Sequence, residues 1–325
     1  MPRKIITVTL NTSIDAVIEV PSLSDNAVIN AESYRTIPAG KGINVARVLS
    51  ALGEPVLVLG IVGADSKEFF TAVESANVRS DFAYAPGATR QNTTILQKST
   101  HATTHIRTKG FRVDAAVIVK MGRKLSRHVA KNDIVVFSGS LPAGAEVDAF
   151  RSYIDLCKEK GAVVVVDTTG IPLLSAIGAI PHFIKPNLSE LQTTFGLDTD
   201  GGEKEIIDQM KELVACGIGH VAVSLGPHGV LLMKQGVPTA WKGSLDLGNE
   251  YNHRKAVGSG DSMLAGFIYA MKRGFDCEEM VRWGVVCGAA NVMATLPGDI
   301  NLQTVQRLLK LVQLKQLPFK SGSND

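Results

Sequence analysis

The chain has 325 residues, 45% of them hydrophobic and 20% charged, with a formal net charge of +3 at pH 7. That size supports one large core, and the dispersed cationic residues argue against a nucleic-acid partner. No stretch is long and apolar enough to span a membrane, and Cys157, Cys216, Cys277 and Cys287 form no CxxC pair and no zinc-like spacing, so a reduced, cytoplasmic setting is expected.

The opening run MPRKIITVTLN reads as a first strand, over 5–10, rather than as a signal peptide. Residues 12–37 alternate with a period near two. A helical pattern follows in INVARVLSALG (43–53), then the apolar run PVLVLGIVG (55–63). A second alternating segment spans 88–113. Together with 12–37 it predicts a small separate sheet that projects from the body and acts as a lid. Further strands are predicted at DIVVFSGS (133–140), AVVVVDTTG (162–170), FIKPN (183–187) and HVAVSLG (220–226), with helices at DAFRSYIDLCKEKG (148–161) and KEIIDQMKELVACG (204–217). Each of the three helical patterns runs into a glycine, a frequent C-terminal signal. Val- and Ile-rich strands alternating with helices predict a mostly parallel sheet covered on both faces, an α/β fold. The main domain is expected over 1–315, with both lid segments inserted in it, and the tail QLPFKSGSND (316–325) is expected to fray.

Such sheets bind ligands at the carboxyl ends of their strands. There the sequence places Asn11 and Asp15, Ser138 to Ser140, Asp167, Asn187 with Glu190, and Ser224 to Gly226. Any one of these is explained by turn chemistry or helix capping. As a set they would face a single crevice.

Two glycine loops stand out. In AVGSGDSMLAGF (256–267), Gly258, Ser259 and Gly260 leave backbone N–H groups open at the mouth of a helix, an anion-binding arrangement with Asp261 at its rim. Asp261 is then either a helix cap or a base beside a bound phosphate. The loop is neither GxxxxGK[ST] nor GxGxxG. In AGKGINVARVL (39–49), glycines precede a helix that carries Lys41 and Asn44, which fits either a tight turn or close backbone approach to a small polar ligand.

With these pieces the chain resembles the ribokinase-like carbohydrate kinases of the PfkB family, in the branch containing 1-phosphofructokinases and tagatose-6-phosphate kinases. The resemblance rests on TLNTSID (9–15), AGKGINVARVL, DIVVFSGSLPAG (133–144), IKPNLSE (184–190), VSLGPHG (223–229) and VGSGDSMLAGF, in order along the chain. It implies a three-layer sandwich with a β-sheet lid. It also implies an ATP-dependent, Mg2+-requiring transfer of the γ-phosphoryl group to a sugar hydroxyl. Asp261 would be the base, and Gly258, Ser259 and Gly260 the anion hole. Asp15, Gly40, Lys41, Asn44, Arg90, Ser140 and Arg107 would hold the substrate. Lys185, Asn187, Ser224, Gly226, Gly229 and Asn291 would lie along the nucleotide, with Glu190 and Asn187 ordering magnesium through water. The expected acceptor is a ketohexose phosphate, fructose 1-phosphate ahead of tagatose 6-phosphate, and the expected assembly a homodimer through the lid. Asn30 stands where the branch has an arginine, Ala39 where it has a glycine, and Ser259 where it has an alanine. The lid carries His105, Arg107 and Lys109 in an unusual pattern. The alternatives are a kinase of an unphosphorylated sugar or polyol and a non-catalytic sugar- or nucleotide-binding regulator.

Overall fold

Runs of Val and Ile without polar alternation are stable only when both faces are covered, and the architecture follows from that. The structure, a computed structural model, describes residues 3–100, 102–196, 202–248, 257–294 and 296–319. Its strands are β1 (Ile5–Thr9), β2 (Ser13–Val20), β3 (Ser33–Ala39), β4 (Val56–Gly63), β5 (Val78–Ala85), β6 (Arg90–Gln97), β7 (Thr103–Arg107), β8 (Ile134–Ser138), β9 (Val163–Asp167), β10 (Phe183–Ile184), β11 (His220–Ser224), β12 (Val230–Lys234), β13 (Thr239–Ser244) and β14 (Gln313–Pro318). Its helices are α1 (Lys41–Ala51), α2 (Ala115–His128), α3 (Ala149–Glu159), α4 (Ile171–Ile177), α5 (Leu188–Phe195), α6 (Glu203–Ala215), α7 (Ser259–Arg273), α8 (Cys277–Val292) and α9 (Leu302–Leu309).

The main sheet runs β14-β13-β12-β11-β10-β9-β8-β1-β4-β5. It is parallel from β11 to β5, with β12, β13 and β14 added antiparallel at one edge. Alternate residues of β1 serve opposite faces. Ile6 and Val8 pack with Met121, Leu125, Phe150 and Ile154 under α2 and α3. Ile5 packs with Val45, Leu49, Leu264 and Phe267 under α1 and α7. Each of these side chains is fully or nearly fully buried, which contributes ~1.5–3 kcal/mol apiece. The result is the expected three-layer α/β sandwich.

Buried Glu54, between α1 and β4, accepts Lys272 Nζ at 2.6 Å and also pairs with Arg273. These contacts tie the far end of α7 to the far end of α1. On the same side of the molecule α7 closes onto α8 at Gly266, where a Cβ would lie 2.3 Å from the Trp283 carbonyl oxygen. The opposite end of α7, which carries Asp261, is set by these anchors.

The two alternating segments form the expected separate sheet, in the order β3-β2-β6-β7. Asp15, on β2, pairs in register with Asn92 on β6. The chain enters this sheet directly after β1 and leaves it at Ala39, immediately before α1. Leu23, Val28, Tyr34 and Ile106 of these segments are exposed.

Two expectations are corrected. The FIKPN strand ladders over only Phe183–Ile184, because Pro186 has no N–H to donate and Asn187 already caps α5. The tail does not fray from residue 316: Gln316 to Pro318 complete β14, in register with β13, because that edge of the sheet is otherwise unpaired. Residues 320–325 of the expected tail lie outside the described residues.

Candidate active site

The carboxyl ends of the parallel strands open into one cleft of about 830 Å³, large enough for a nucleotide and a small acceptor. On one wall α7 begins. Gly258 caps it in the left-handed region (φ 85°), and no side chain satisfies the first N–H groups, so those of Ser259 and Gly260 remain open to the cleft. A Cβ on Gly260 would lie 3.6 Å from Lys185 Nζ, which brings a buried ammonium to the same helix mouth.

Asp261 is buried in the first turn of α7. It does not cap its own helix. Its Oδ2 accepts Asn44 Nδ2–H at 2.8 Å, across 217 positions of sequence. Burial pushes its carboxyl up to about 6, Lys41 and Lys185 pull it down, and Asp167 pushes it up. A carboxylate so tuned is ionised at neutral pH yet basic enough to take a proton. Gly40 and Gly42 place α1 here. A Cβ on Gly40 would approach Thr9 Cγ2 to 2.8 Å, while Gly42 N–H donates to Thr9 Oγ1 at 3.0 Å.

Asp167, which ends β9, is 1% exposed, and neither of its oxygens has a hydrogen-bond partner. Lys41 Nζ and Lys185 Nζ each stand 3.5 Å from its Oδ1. These contacts are longer than a charge-assisted bond of ~2.7–2.9 Å, so both ammonium groups keep donors for a further anion. The charge of Asp167 is the main reason Lys41 is held well above its ordinary value. Along the sequence Asp167 is marked only by its place at the end of a strand, and it is the sheet order that sets it beside Lys41 and Lys185.

Asn187 and Glu190 form a capping box at α5. Asn187 Oδ1 accepts Glu190 N–H at 2.8 Å, and Glu190 Oε2 accepts Asn187 N–H at 2.9 Å. The helix-cap explanation of these residues is therefore satisfied, and both still line the cleft. Glu190 is pushed up mainly by burial and then by Asp167.

Ser224, Gly226 and Gly229 line the far end of the cleft, beside Leu245, Val257 and Val292. Gly229 is also demanded by the fold. Its φ is +92°, and a Cβ would lie 1.9 Å from the Gly243 carbonyl oxygen. Asn291 is not brought to the cleft. It is 1% exposed, and its Nδ2 donates to the Leu296 and Asp299 carbonyls at 3.1 Å, so it shapes the turn after α8.

The small sheet β3-β2-β6-β7 supplies the other end. Asp15 Oδ1 accepts from Asn92 Nδ2 and from Ser13 Oγ, both at 2.9 Å. Arg90 and Arg107 both line the cleft. Arg90 donates to the carbonyls of Asn11 (3.0 Å) and Thr12 (3.3 Å), and its Nη1 has no partner among the described residues. Ser140 is exposed, accepts from Asn11 Nδ2 at 3.0 Å and does not line the cleft. Neither do His105, Lys109 or Asn30. Ala39 is fully buried and its methyl group lies in the core, not in the site.

The described lining carries four cations (Lys41, Arg90, Arg107, Lys185) and four carboxylates (Asp15, Asp167, Glu190, Asp261). A triphosphate entering this balanced site brings an excess of negative charge that a divalent cation would offset. Among the described residues no group of three or more His, Cys, Asp or Glu could hold a metal ion. The donors present, Asn187 and Glu190, suit a magnesium that keeps its waters and is held mainly by phosphate oxygens.

Residues 5–304 match the family described as pfkB family carbohydrate kinase. The chain is 31% identical over 320 residues to the 1-phosphofructokinase of Rhodobacter capsulatus, covering 98% of this chain and 99% of that protein. Phosphofructokinase-2 from Escherichia coli, solved in complex with potassium, has the same fold, with a TM-score of 0.86 at 24% identity over 95% of this chain and 99% of that one. Arabidopsis thaliana ribokinase, solved with ribose and ATP, superposes with a TM-score of 0.71 at 22% identity, over 96% and 100% of the two chains, so the fold is ribokinase-like. With its motifs converging on one cleft and the family matched over nearly its whole length, the chain belongs to the pfkB family of carbohydrate kinases, which phosphorylate a hydroxyl group.

Proposed function

We propose that this protein is a MgATP-dependent kinase of a ketohexose phosphate, with fructose 1-phosphate preferred over tagatose 6-phosphate. The observation that carries the acceptor is the pair Arg90 and Arg107 at the lid end of the cleft, with Asp261 in the opposite wall. Two guanidinium groups suit a phosphate already on the substrate. The relatives named 1-phosphofructokinase support the same reading.

In this reading Asp15 and Asn44 hold the acceptor hydroxyls. Asp261 accepts the proton of the reacting hydroxyl as its oxygen bonds to the γ-phosphorus. The bond from that phosphorus to the bridging oxygen breaks, and ADP leaves. The N–H groups of Ser259 and Gly260, with Lys185 and Lys41, stabilise the charge on the moving phosphoryl group. Magnesium, when bound, shields the phosphate charge, and Asn187 and Glu190 would order its waters. The adenosine would lie along Ser224, Gly226 and Gly229. The lid excludes water that would otherwise receive the phosphoryl group. We assign catalysis to one domain over 1–315, with lid segments near 12–37 and 88–113. Pairing of two lids through exposed Leu23, Val28, Tyr34 and Ile106 would make a homodimer. We place the protein in the cytoplasm, where the MgATP that this reading requires is supplied.

The test is ADP release by purified protein with MgATP against fructose 1-phosphate, fructose 6-phosphate, tagatose 6-phosphate and the free hexoses. Turnover is expected on the phosphorylated ketohexoses, and Arg107→Ala should raise KM for the acceptor about tenfold with KM for ATP unchanged. Turnover confined to unphosphorylated sugars would refute the acceptor assignment.

A further inference from the structure

Arg47 does not line the cleft, yet it holds two groups that matter to it. On α1 it sits three residues after Asn44, on the same helix face. Its Nη1 donates to Asn44 Oδ1 at 3.3 Å. Its Nη2 donates to the carbonyl of Pro38, next to the last residue of β3, where the lid sheet rejoins the body. Asn44 in turn is buried and donates Nδ2–H to Asp261.

An amide can face either way, and its neighbours decide which. A guanidinium has only donors, so it claims the oxygen of Asn44 and leaves the nitrogen for Asp261. We propose that Arg47 is a positioning residue that sets the orientation of Asn44, keeps Asp261 in its proton-accepting form, and links that state to the lid through Pro38. The proposal rests on Asp261 being the base. Without Arg47 the amide is free to turn and present its oxygen to Asp261. Only a protonated carboxyl can meet that oxygen with a hydrogen bond, so the base would be held in its unreactive form. The other charged groups facing Asp261 are Lys41 on α1, Asp167 at the end of β9 and Lys185 after β10. Those facing Arg47 are Asp15 on β2 and Asp299 after α8. None of these donates to or accepts from the Asn44 amide, so none substitutes for Arg47 in orienting it.

The experiment measures kcat and both KM values from pH 5 to 9 for the full-length protein with MgATP and its acceptor, in Arg47→Met, Arg47→Lys, Asn44→Ala and the double variant Arg47→Met/Asn44→Ala. For Arg47→Met the acidic limb of kcat is expected to move up by about half to one pH unit. Its kcat should fall about three- to tenfold at pH 5 and by no more than about twofold at pH 7, while KM for ATP stays within about twofold. Arg47→Lys, which keeps one cationic donor, should restore part of the limb. In the Asn44→Ala background Arg47→Met should have little further effect, because the two act in series. An unshifted limb in Arg47→Met, or effects of the two substitutions that simply add, would overturn the proposal. If Arg47→Met does not fold, Arg47→Ala, which also removes both donors and favours the helix, carries the same test, and an unshifted limb there overturns it. Asp261→Asn is the separate control. Loss of turnover there with an unshifted Arg47 profile leaves the base standing and removes only the relay, whereas retained turnover removes the base itself.

Discussion

Replacing Asp261 by Asn should make the protein more stable at alkaline pH while abolishing turnover. Burial raises this carboxyl from its ordinary 3.8 to about 6. At ~1.4 kcal/mol per pH unit, that rise means the ionised side chain costs the fold about 3 kcal/mol once pH is well above 6. The sign follows from linkage. A carboxyl whose folded value is raised adds stability below its unfolded value, and loses it as pH rises through the folded one. Asparagine has the same shape, carries no charge, and can still accept from Asn44 Nδ2 through its own oxygen. The gain should therefore be largest at pH 8 and vanish near pH 4. For 325 residues, at ~2.1 cal/mol/K per residue of unfolding entropy, about 3 kcal/mol corresponds to roughly 4–5 °C in Tm. Thermal melts of both proteins at pH 4, 6 and 8, without ligands, measure it. A variant that melts lower than the parent at pH 8, or by the same difference at every pH, would refute the idea that the site stores a desolvated charge. The activity of the parent should rise with pH through about 6, as the base ionises.

Glu190→Gln should leave Tm within about 1 °C, because a glutamine at this position still completes the capping box with Asn187. It should raise the magnesium concentration needed for half-maximal rate and lower kcat about tenfold; an unchanged magnesium titration would exclude Glu190 from ordering the ion. Gly229→Ala should destabilise the fold by ~2–4 kcal/mol, because the added carbon would collide with the Gly243 carbonyl and φ is +92°. Thermal melting reads this, and an unchanged Tm would contradict the packing of β12 on β13.

Much of the fold was legible along the chain. β1, β4, β8, β9 and β11 are short runs of Val and Ile, and α1, α3 and α6 are amphipathic stretches that run into Gly53, Gly161 and Gly217, all with positive φ. The two segments of the small sheet announced themselves by their period of two. β14 did not, because QLKQLP reads as polar tail until β13 is placed beside it. Asn291 and Ser140 are expected in the site from motif position alone. Sequence position does not say which way a side chain points, and in these two it points into a turn and toward Asn11.

The sequence by itself determined the element types, the α/β class and the presence of an anion-binding loop with a carboxylate at its rim. Those properties depend on neighbours within a few residues, through hydrophobic period, capping and glycine conformation. Only the tertiary structure decided which of these groups meet. The order β10-β9-β8-β1 brings Lys185, Asp167 and Lys41 together, and the packing of α7 against α1 puts Asp261 on Asn44. The proton affinity of Asp261 is a property of that burial and of those charges, because desolvation and Coulomb energy depend on distance in space, not along the chain.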